Sequence, residues 1–413
     1  VSREATRTAT TFAFGAPRIV LGPGASAEAG EQLAALGVTR AFVVCDRFLV
    51  DSGFASELTA TIARVGIETA LVGVEGEPDE DSVRAAAAAA DDASFDGFLG
   101  VGGGSAIDTA KLCALLATHG GEAIDYVAAP LGGGRALPGP LPPIVALPTT
   151  AGTGSEVTTV AVVDFARLGT KAGVSHRWLQ PTLALVDPLL TASCPPRVTA
   201  ATGVDALMHA VEAYLSLPYD RRPYAPPATR PPYQGANPLT DGLCERAIAL
   251  IGGSLRTAVH DGADLDARAA MSVAATTAGI AFSIAGVHVP HALSYPIASL
   301  AHRRRVDDGR PGLVPHGFAV AVTASAFLRL AESAIPERSA AAARLLDGGE
   351  DLAGAVERLL LDVGAPTKLG ELGYRAADLE AIVAGALEQQ RLLVGAPLEV
   401  GAEELEAILR ASL

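Results

Sequence analysis

Short apolar runs alternate with helical stretches through the first half of the chain, and this alternation restricts the fold more than any other feature. Strand-like material at Thr11 to Leu21 is closed by Gly22-Pro23-Gly24, and a helical segment from Ala25 to Leu36 leads into the apolar run Ala41 to Cys45, which ends on Asp46. A helix from about Ser56 to Val65, a strand near Ile67 to Val74, an alanine-rich helix through Ala90 and a strand at Phe95 to Val101 repeat the pattern. Strands linked through helices of this length run parallel, and the helices cover both faces of their sheet. The expectation is a Rossmann-like α/β sheet, the usual frame for nucleotide sites. After Pro188 the alternation gives way to long Ala/Leu-rich helical patterns, which predicts an all-α second half. The boundary falls within Thr191 to Arg197, giving an α/β domain over 1–192 and a helical domain over 193–413.

Parallel sheets bind ligands at the carboxyl ends of their strands, so the residues that follow each strand carry the functional information. Gly100 to Lys111 reads GVGGGSAIDTAK. Its consecutive glycines Gly102, Gly103 and Gly104 let the backbone approach a pyrophosphate, and the helix that follows aims its free N–H groups at the same spot. Ser105 and Asp108 have capping-box spacing, so they serve either to start this helix or to touch the ligand. Lys111, one turn on, reads as a surface charge. Asp46 suits hydrogen bonds to an adenosine ribose and would repel a 2′-phosphate, favouring NAD over NADP, but taken alone it reads first as an ordinary turn or helix-capping Asp. After a Gly/Pro-rich connection, Leu131 to Pro143, the strand Ile144 to Leu147 opens into PTTAGTGSEVT. There Thr149 and Thr150 are best placed for phosphate, ribose or amide contacts, although any single hydroxyl also fits a polar turn.

The helical stretch ATGVDALMHAVEAY, Ala201 to Tyr214, sets Asp205 and His209 four residues apart on one face. Taken alone such a pair reads first as a helix-surface Asp and His without a ligand; a carboxylate and an imidazole presented together also form half of a divalent-metal site, and His291 and His316 are the candidates for the other half. A net charge of −15 argues against a nucleic-acid partner. With 49% apolar and 19% charged residues the chain is a compact globular protein. Its four scattered cysteines suit a reducing compartment. No apolar run of membrane-spanning length stands out and VSREATRTAT lacks a secretory core, so a cytoplasmic protein without a membrane partner is expected.

Taken together, GGGSAIDTAK, PTTAGTGSEVT, GVDALMHAVEAY and the late VPHG resemble the iron-containing, or type III, alcohol dehydrogenase family, from about Thr11 to the C-terminus. Within it, LPYDRRPYAPPATRPPYQGANPLTD, AGVHVPHALSYPI and GLVPHG look like the hydroxyacid-oxoacid transhydrogenases. The resemblance implies an architecture shared with dehydroquinate synthase: a dinucleotide-binding domain, a helical domain and an active-site cleft between them. It implies metal ligation by Asp205, His209, His291 and His316. Pyrophosphate contacts would come from Gly102, Gly103, Gly104 and Ser105, with Asp108 beside them, and further NAD contacts from Asp46, Thr149, Thr150, Ser155 and Lys171. The cofactors would be NAD and a divalent cation, Fe2+ before Zn2+, in a homo-oligomer, expected to be a dimer, that acts on small molecules. The implied reaction couples oxidation of 4-hydroxybutyrate to reduction of 2-oxoglutarate on a retained NAD. The alternatives are an alcohol dehydrogenase that releases NADH and, more distantly, a dehydroquinate synthase-like lyase, whose usual glutamate and two histidines Asp205 with three histidines does not match.

One position departs from the wider family, where a His-Gly-x-x-His motif supplies a proton-relaying histidine: Tyr295 stands there, as in the transhydrogenase-like members. A tyrosine relays protons near neutral pH only with help from its surroundings, and His288 is a second candidate for the relay. The segment Pro218 to Pro238 carries seven prolines with Arg221, Arg222 and Arg230. It reads either as a clamp for substrate carboxylates or as a semi-rigid arm. The basic run His302-Arg303-Arg304-Arg305 reads as a solvated loop.

Overall fold

The computed structural model describes residues 7–91, 94–129, 131–165, 170–303 and 312–413. These form two compact units, one of Ala16–Cys194 with Gly262–Thr276, the other of Pro195–Asp261 and Thr277–Leu413 with the described residues before Ala16.

The first unit is built on β1 (Arg18–Leu21), β2 (Arg40–Asp46), β3 (Glu68–Val74), β4 (Gly97–Gly102), β5 (Ile144–Pro148), β6 (Val160–Phe165), β7 (Thr170–Ser175) and β8 (Leu183–Val186). Six of them form a sheet in the order β1-β8-β5-β4-β2-β3, and every pairing in it is parallel. β4, β5 and β8 are buried at every position, as strands covered on both faces must be. Neighbouring residues of β2 serve opposite faces: Val43 packs with Leu33 and Ile62, whereas Phe42 packs with Ala86, Ala110 and Cys113. The chain runs outward from β2 to β3 and then returns to lay β4 on the other side of β2. The strand order therefore reverses between β2 and β4, and a crevice opens at their carboxyl ends, where Asp46 and Gly102 stand.

The strand expected over Thr11 to Leu21 is confined to Arg18–Leu21. Residues before Ala16 belong to the helical unit, where the Ala9 amide donates to the Arg222 carbonyl and the Tyr224 amide to the Arg7 carbonyl. β6 and β7 form an antiparallel hairpin outside the main sheet. That hairpin overturns the reading of Lys111 as a surface charge. Its amine is fully buried and donates to the Val160 carbonyl at 2.7 Å, the Thr158 hydroxyl at 3.1 Å and Asp108 Oδ1 at 3.3 Å. Asp108 Oδ2 in turn accepts from the Val162 amide at 2.9 Å, so the pair fastens the helix Gly104–His119 to β6.

Among its described residues the second unit contains helices and turns but no strand of the sheets. Its helix Pro196–Leu215 begins with proline in the first turn, where the missing N–H goes unneeded, and is buried at every residue from Gly203 to Leu215. A helix buried all round occupies the middle of a bundle, so each polar side chain it carries must find a partner there. By length and composition alone the helix Leu265–Ala285 could cross a membrane, but Asp266 and Arg268 interrupt it and 78% of its apolar window is buried inside the protein, as in a core helix.

Candidate metal and dinucleotide sites

In the buried stretch Gly203–Leu215 of the helix Pro196–Leu215, Asp205, His209 and Glu212 stand at positions i, i+4 and i+7 of one face, all of them buried. His291, in the first turn of the helix Val289–Arg303, and His316, at the start of His316–Ala331, meet them. Donor atoms of Asp205, His291 and His316 lie within 4.8 Å of one another. Asp205 Oδ1 is 3.6 Å from His291 Nε2 and 3.7 Å from the Nε2 atoms of both His209 and His316. These gaps are too long for hydrogen bonds, and Asp205 Oδ1 and His291 Nε2 are buried with no hydrogen-bond partner. Ligand atoms about 2.1 Å from a shared tetrahedral ion sit roughly 3.4 Å apart, so the spacing and the orphaned atoms fit a divalent cation. Gly317 makes the arrangement possible, because a Cβ there would come within 1.9 Å of the Ala201 carbonyl oxygen and 3.1 Å of Asp205 Cβ.

Glu212 was missed by the sequence reading, although its place three residues after His209 could have marked it. Its two oxygens accept from His291 Nδ1 and from the His288 backbone N–H, each at 2.6 Å. A carboxylate only accepts, so in the neutral ring the His291 proton is held on Nδ1 and the Nε2 lone pair faces Asp205. Burial by itself pushes the Asp205 and Glu212 carboxyls up, but the surrounding histidines hold both below their usual values. Burial pulls His209 down to about 4, whereas at His291 the effect of burial is overcome by Glu212 and Asp205, which lift it to about 9. The two carboxylates draw positive charge into the cluster.

Tyr295 lies one turn after His291 and stacks on His316 with ring centroids 6.2 Å apart. His288 is fully buried against Phe327; neither ring nitrogen has a hydrogen-bond partner, Nδ1 lies 3.5 Å from Glu212 Oε2, and burial lowers its pKa. In the proline-rich segment Arg230 donates to the Thr11 hydroxyl, and Gln234 exchanges bonds with the Ala13 backbone. These bonds hold residues Thr11 and Ala13 against the segment. Arg304 and Arg305 of the basic run, and the side chains of His302 and Arg303, lie outside the described residues.

In the first unit the ends of β2, β4 and β5 gather Asp46, Gly102, Gly103, Thr149 and Thr150. The Thr149 amide donates to the Gly102 carbonyl at 2.9 Å. Gly102 has φ +142°, and a Cβ there would approach Asp46 Cβ to 2.9 Å. Gly104 is crowded by Thr153 at 3.0 Å, but a Cβ on Gly103 would meet nothing nearer than Thr150 at 3.7 Å. The protein's own packing does not require that glycine, and the space beside it suits a ligand. Gly103 is the N-cap of the helix Gly104–His119 and no side chain caps it, so the capping box read from Ser105 and Asp108 is not formed. The first-turn N–H groups are thereby left for an anion.

Asp46 caps the helix Arg47–Asp51, its Oδ1 accepting from the Phe48 amide at 3.0 Å. Ser155 is buried, its amide donating to the Thr153 hydroxyl. Asp108 and Lys171, expected at the cofactor, are engaged within the protein: Asp108 with Lys111 and Val162, Lys171 with Glu77.

Residues 16–188 match the family described as iron-containing alcohol dehydrogenase, and residues 233–413 match the C-terminal part of the Fe-containing alcohol dehydrogenase family. The chain belongs to the iron-containing alcohol dehydrogenase family. It is similar to the mitochondrial hydroxyacid-oxoacid transhydrogenase of Bos taurus, 36% identical over 418 residues that cover 97% of this chain and 90% of that one. Among solved structures it is similar to a 1,3-propanediol oxidoreductase, with TM-score 0.85 and 33% identity over 98% of this chain and 100% of that one. A sulfoacetaldehyde reductase from Bifidobacterium kashiwanohense, solved in complex with NAD+, aligns with TM-score 0.82 and 29% identity over 98% and 99% of the two chains. The chain is an oxidoreductase acting on CH–OH groups, of the hydroxyacid-oxoacid transhydrogenase type.

Proposed function

We propose that the chain couples oxidation of a short hydroxyacid, of the 4-hydroxybutyrate kind, to reduction of a 2-oxoacid such as 2-oxoglutarate, with NAD and a divalent cation as cofactors. The observation that carries this reading is the pair of buried, unpartnered donor atoms, Asp205 Oδ1 and His291 Nε2, in a chain similar over nearly its whole length to a transhydrogenase. Asp205, His209, His291 and His316 would hold the cation; one carboxylate and three imidazoles suit Fe2+ or Zn2+, and we favour Fe2+ from the family's description. The cation supplies Lewis acidity that stabilises charge developing on the substrate oxygen, and the nicotinamide supplies the hydride carrier. The first 192 residues carry the dinucleotide contacts: the N–H groups after Gly103 receive the pyrophosphate, Asp46 the ribose, and Thr149 and Thr150 the polar groups beside them. Glu212 keeps His291 in the tautomer that presents a lone pair, and Tyr295, against His316, is the residue from which a proton would pass.

The test assays metal-loaded protein with 4-hydroxybutyrate and 2-oxoglutarate and no added nucleotide, scoring 2-hydroxyglutarate. Beside it runs an assay with NAD and alcohol, scoring NADH. Coupled product with little NADH is expected. NADH without coupled product would replace this reading with a dehydrogenase that releases its cofactor, the reading favoured by the likeness to 1,3-propanediol oxidoreductase.

A further inference from the structure

The helical unit holds a cation to which no role has yet been assigned. Arg391 lies in the short helix Gln390–Leu393 and is partly buried. Its Nη2 donates to the Tyr295 hydroxyl at 3.3 Å, and its Cζ lies 5.7 Å from the centroid of the Tyr233 ring. Among the described residues no carboxylate lies within ion-pair reach of this guanidinium. Two other arginines of the unit are matched: Arg338 grips both oxygens of Asp241, and Arg256 pairs with Asp362. An arginine stays charged at every physiological pH, so leaving one partly desolvated with only two tyrosines for company is unfavourable until an anion arrives.

Tyr295 ties this cation to the donor cluster. One end of the residue, its hydroxyl, receives the Arg391 hydrogen bond, and its ring stacks on His316. A substrate whose reacting oxygen lies beside His316 and whose carboxylate meets Arg391 would lie along the Tyr295 ring. Short ω-hydroxyacids and 2-oxo-dicarboxylates have that reach and that charge; simple alcohols have no group to place there.

We propose that Arg391 binds the substrate carboxylate and, with Tyr233 and Tyr295 as walls, selects hydroxyacids and oxoacids over neutral alcohols. This rests on the reading that the substrates are acids. It assigns Arg391 a bidentate, charge-assisted contact that a planar guanidinium is built to make.

The experiment compares wild type with Arg391→Met and Arg391→Lys, using 4-hydroxybutyrate and the uncharged 1,4-butanediol as paired substrates. Arg391→Met is expected to lower the ratio of kcat/KM for the acid to that for the diol by about 100-fold, through KM, as loss of a charge-assisted pair should. Arg391→Lys, which keeps the charge without the fork, should restore roughly a tenth of the loss or more. A merely structural role would lower both substrates in proportion, and an unchanged ratio overturns the proposal. Glutarate binding, followed by titration calorimetry, separates this claim from the reaction itself. If wild type turns over no hydroxyacid but binds glutarate and Arg391→Met does not, the transhydrogenase reading falls and the anion site stands. Equal glutarate binding by both proteins, or none by wild type, rejects the site.

Discussion

Replacing Glu212 with Gln alters one atom at the heart of the donor cluster and leaves the volume unchanged. In the native protein the two carboxylate oxygens accept from His291 Nδ1 and the His288 N–H, each at 2.6 Å, in a fully buried setting. An amide offers one oxygen and one NH2, so it can satisfy one of these donors and must oppose the other. If its NH2 faces His291, the imidazole proton is driven to Nε2, the atom aimed at Asp205, and the lone pair needed for a cation is lost. If its NH2 faces His288, a buried backbone N–H is left unpaired, at about 1–3 kcal/mol. Loss of such an outer partner weakens metal binding about 10–100-fold, or roughly 1.4–2.7 kcal/mol. Anaerobic calorimetric titration with Fe2+ or Co2+, with melting curves run with and without metal, reads both effects. We expect weaker binding and a smaller metal-induced rise in Tm. Affinity within twofold of wild type, with an unchanged rise in Tm, would refute the assignment of Glu212 as the residue that sets the His291 tautomer.

Gly317→Ala places a methyl 1.9 Å from the Ala201 carbonyl oxygen, so the start of the helix His316–Ala331 must move, carrying His316 from Asp205. Overpacking of this kind lowers stability by about 1–3 kcal/mol, and metal stoichiometry measured after dialysis should fall with it; full occupancy would count against the geometry. Lys111→Met strands the buried Asp108 carboxylate and should lower stability by about 3–5 kcal/mol in denaturant titration. The double variant Lys111→Met with Asp108→Leu should recover much of that loss, and failure to exceed the single variant would show that charge is not the cause. Burial raises the pKa of Glu156, which accepts from the Thr276 hydroxyl at 3.1 Å. The folded state therefore binds its proton more tightly than the unfolded state, and this contribution to stability is present at low pH and lost as pH rises through the folded-state pKa. Glu156→Gln should melt higher than wild type at neutral pH, with the gap closing below the ordinary glutamate range; a gap independent of pH would refute the argument.

The parallel sheet, the glycine turn after β4 and the helical partnership of Asp205 with His209 were legible in the chain, because each is written in residues that are near neighbours. Strand-helix alternation dictates parallel pairing through the crossover, and a spacing of four dictates a shared helical face. The same spacing extended to seven would have reached Glu212. Other features depended on which distant segments come together. Lys111 reads as a surface charge until the β6–β7 hairpin covers it, and Thr11 as a strand residue until the proline-rich arm takes up the start of the chain. The spacing of His291 and His316 along the chain, far from Asp205, says nothing of the 3.6 and 3.7 Å that separate their Nε2 atoms from Asp205 Oδ1. The solitary charge of Arg391 beside Tyr295 is equally silent in sequence. Local geometry follows from the covalent chain and its period. The meeting of three helices at one carboxylate follows from packing, which places Gly317 against Ala201 and brings together residues that no local period connects.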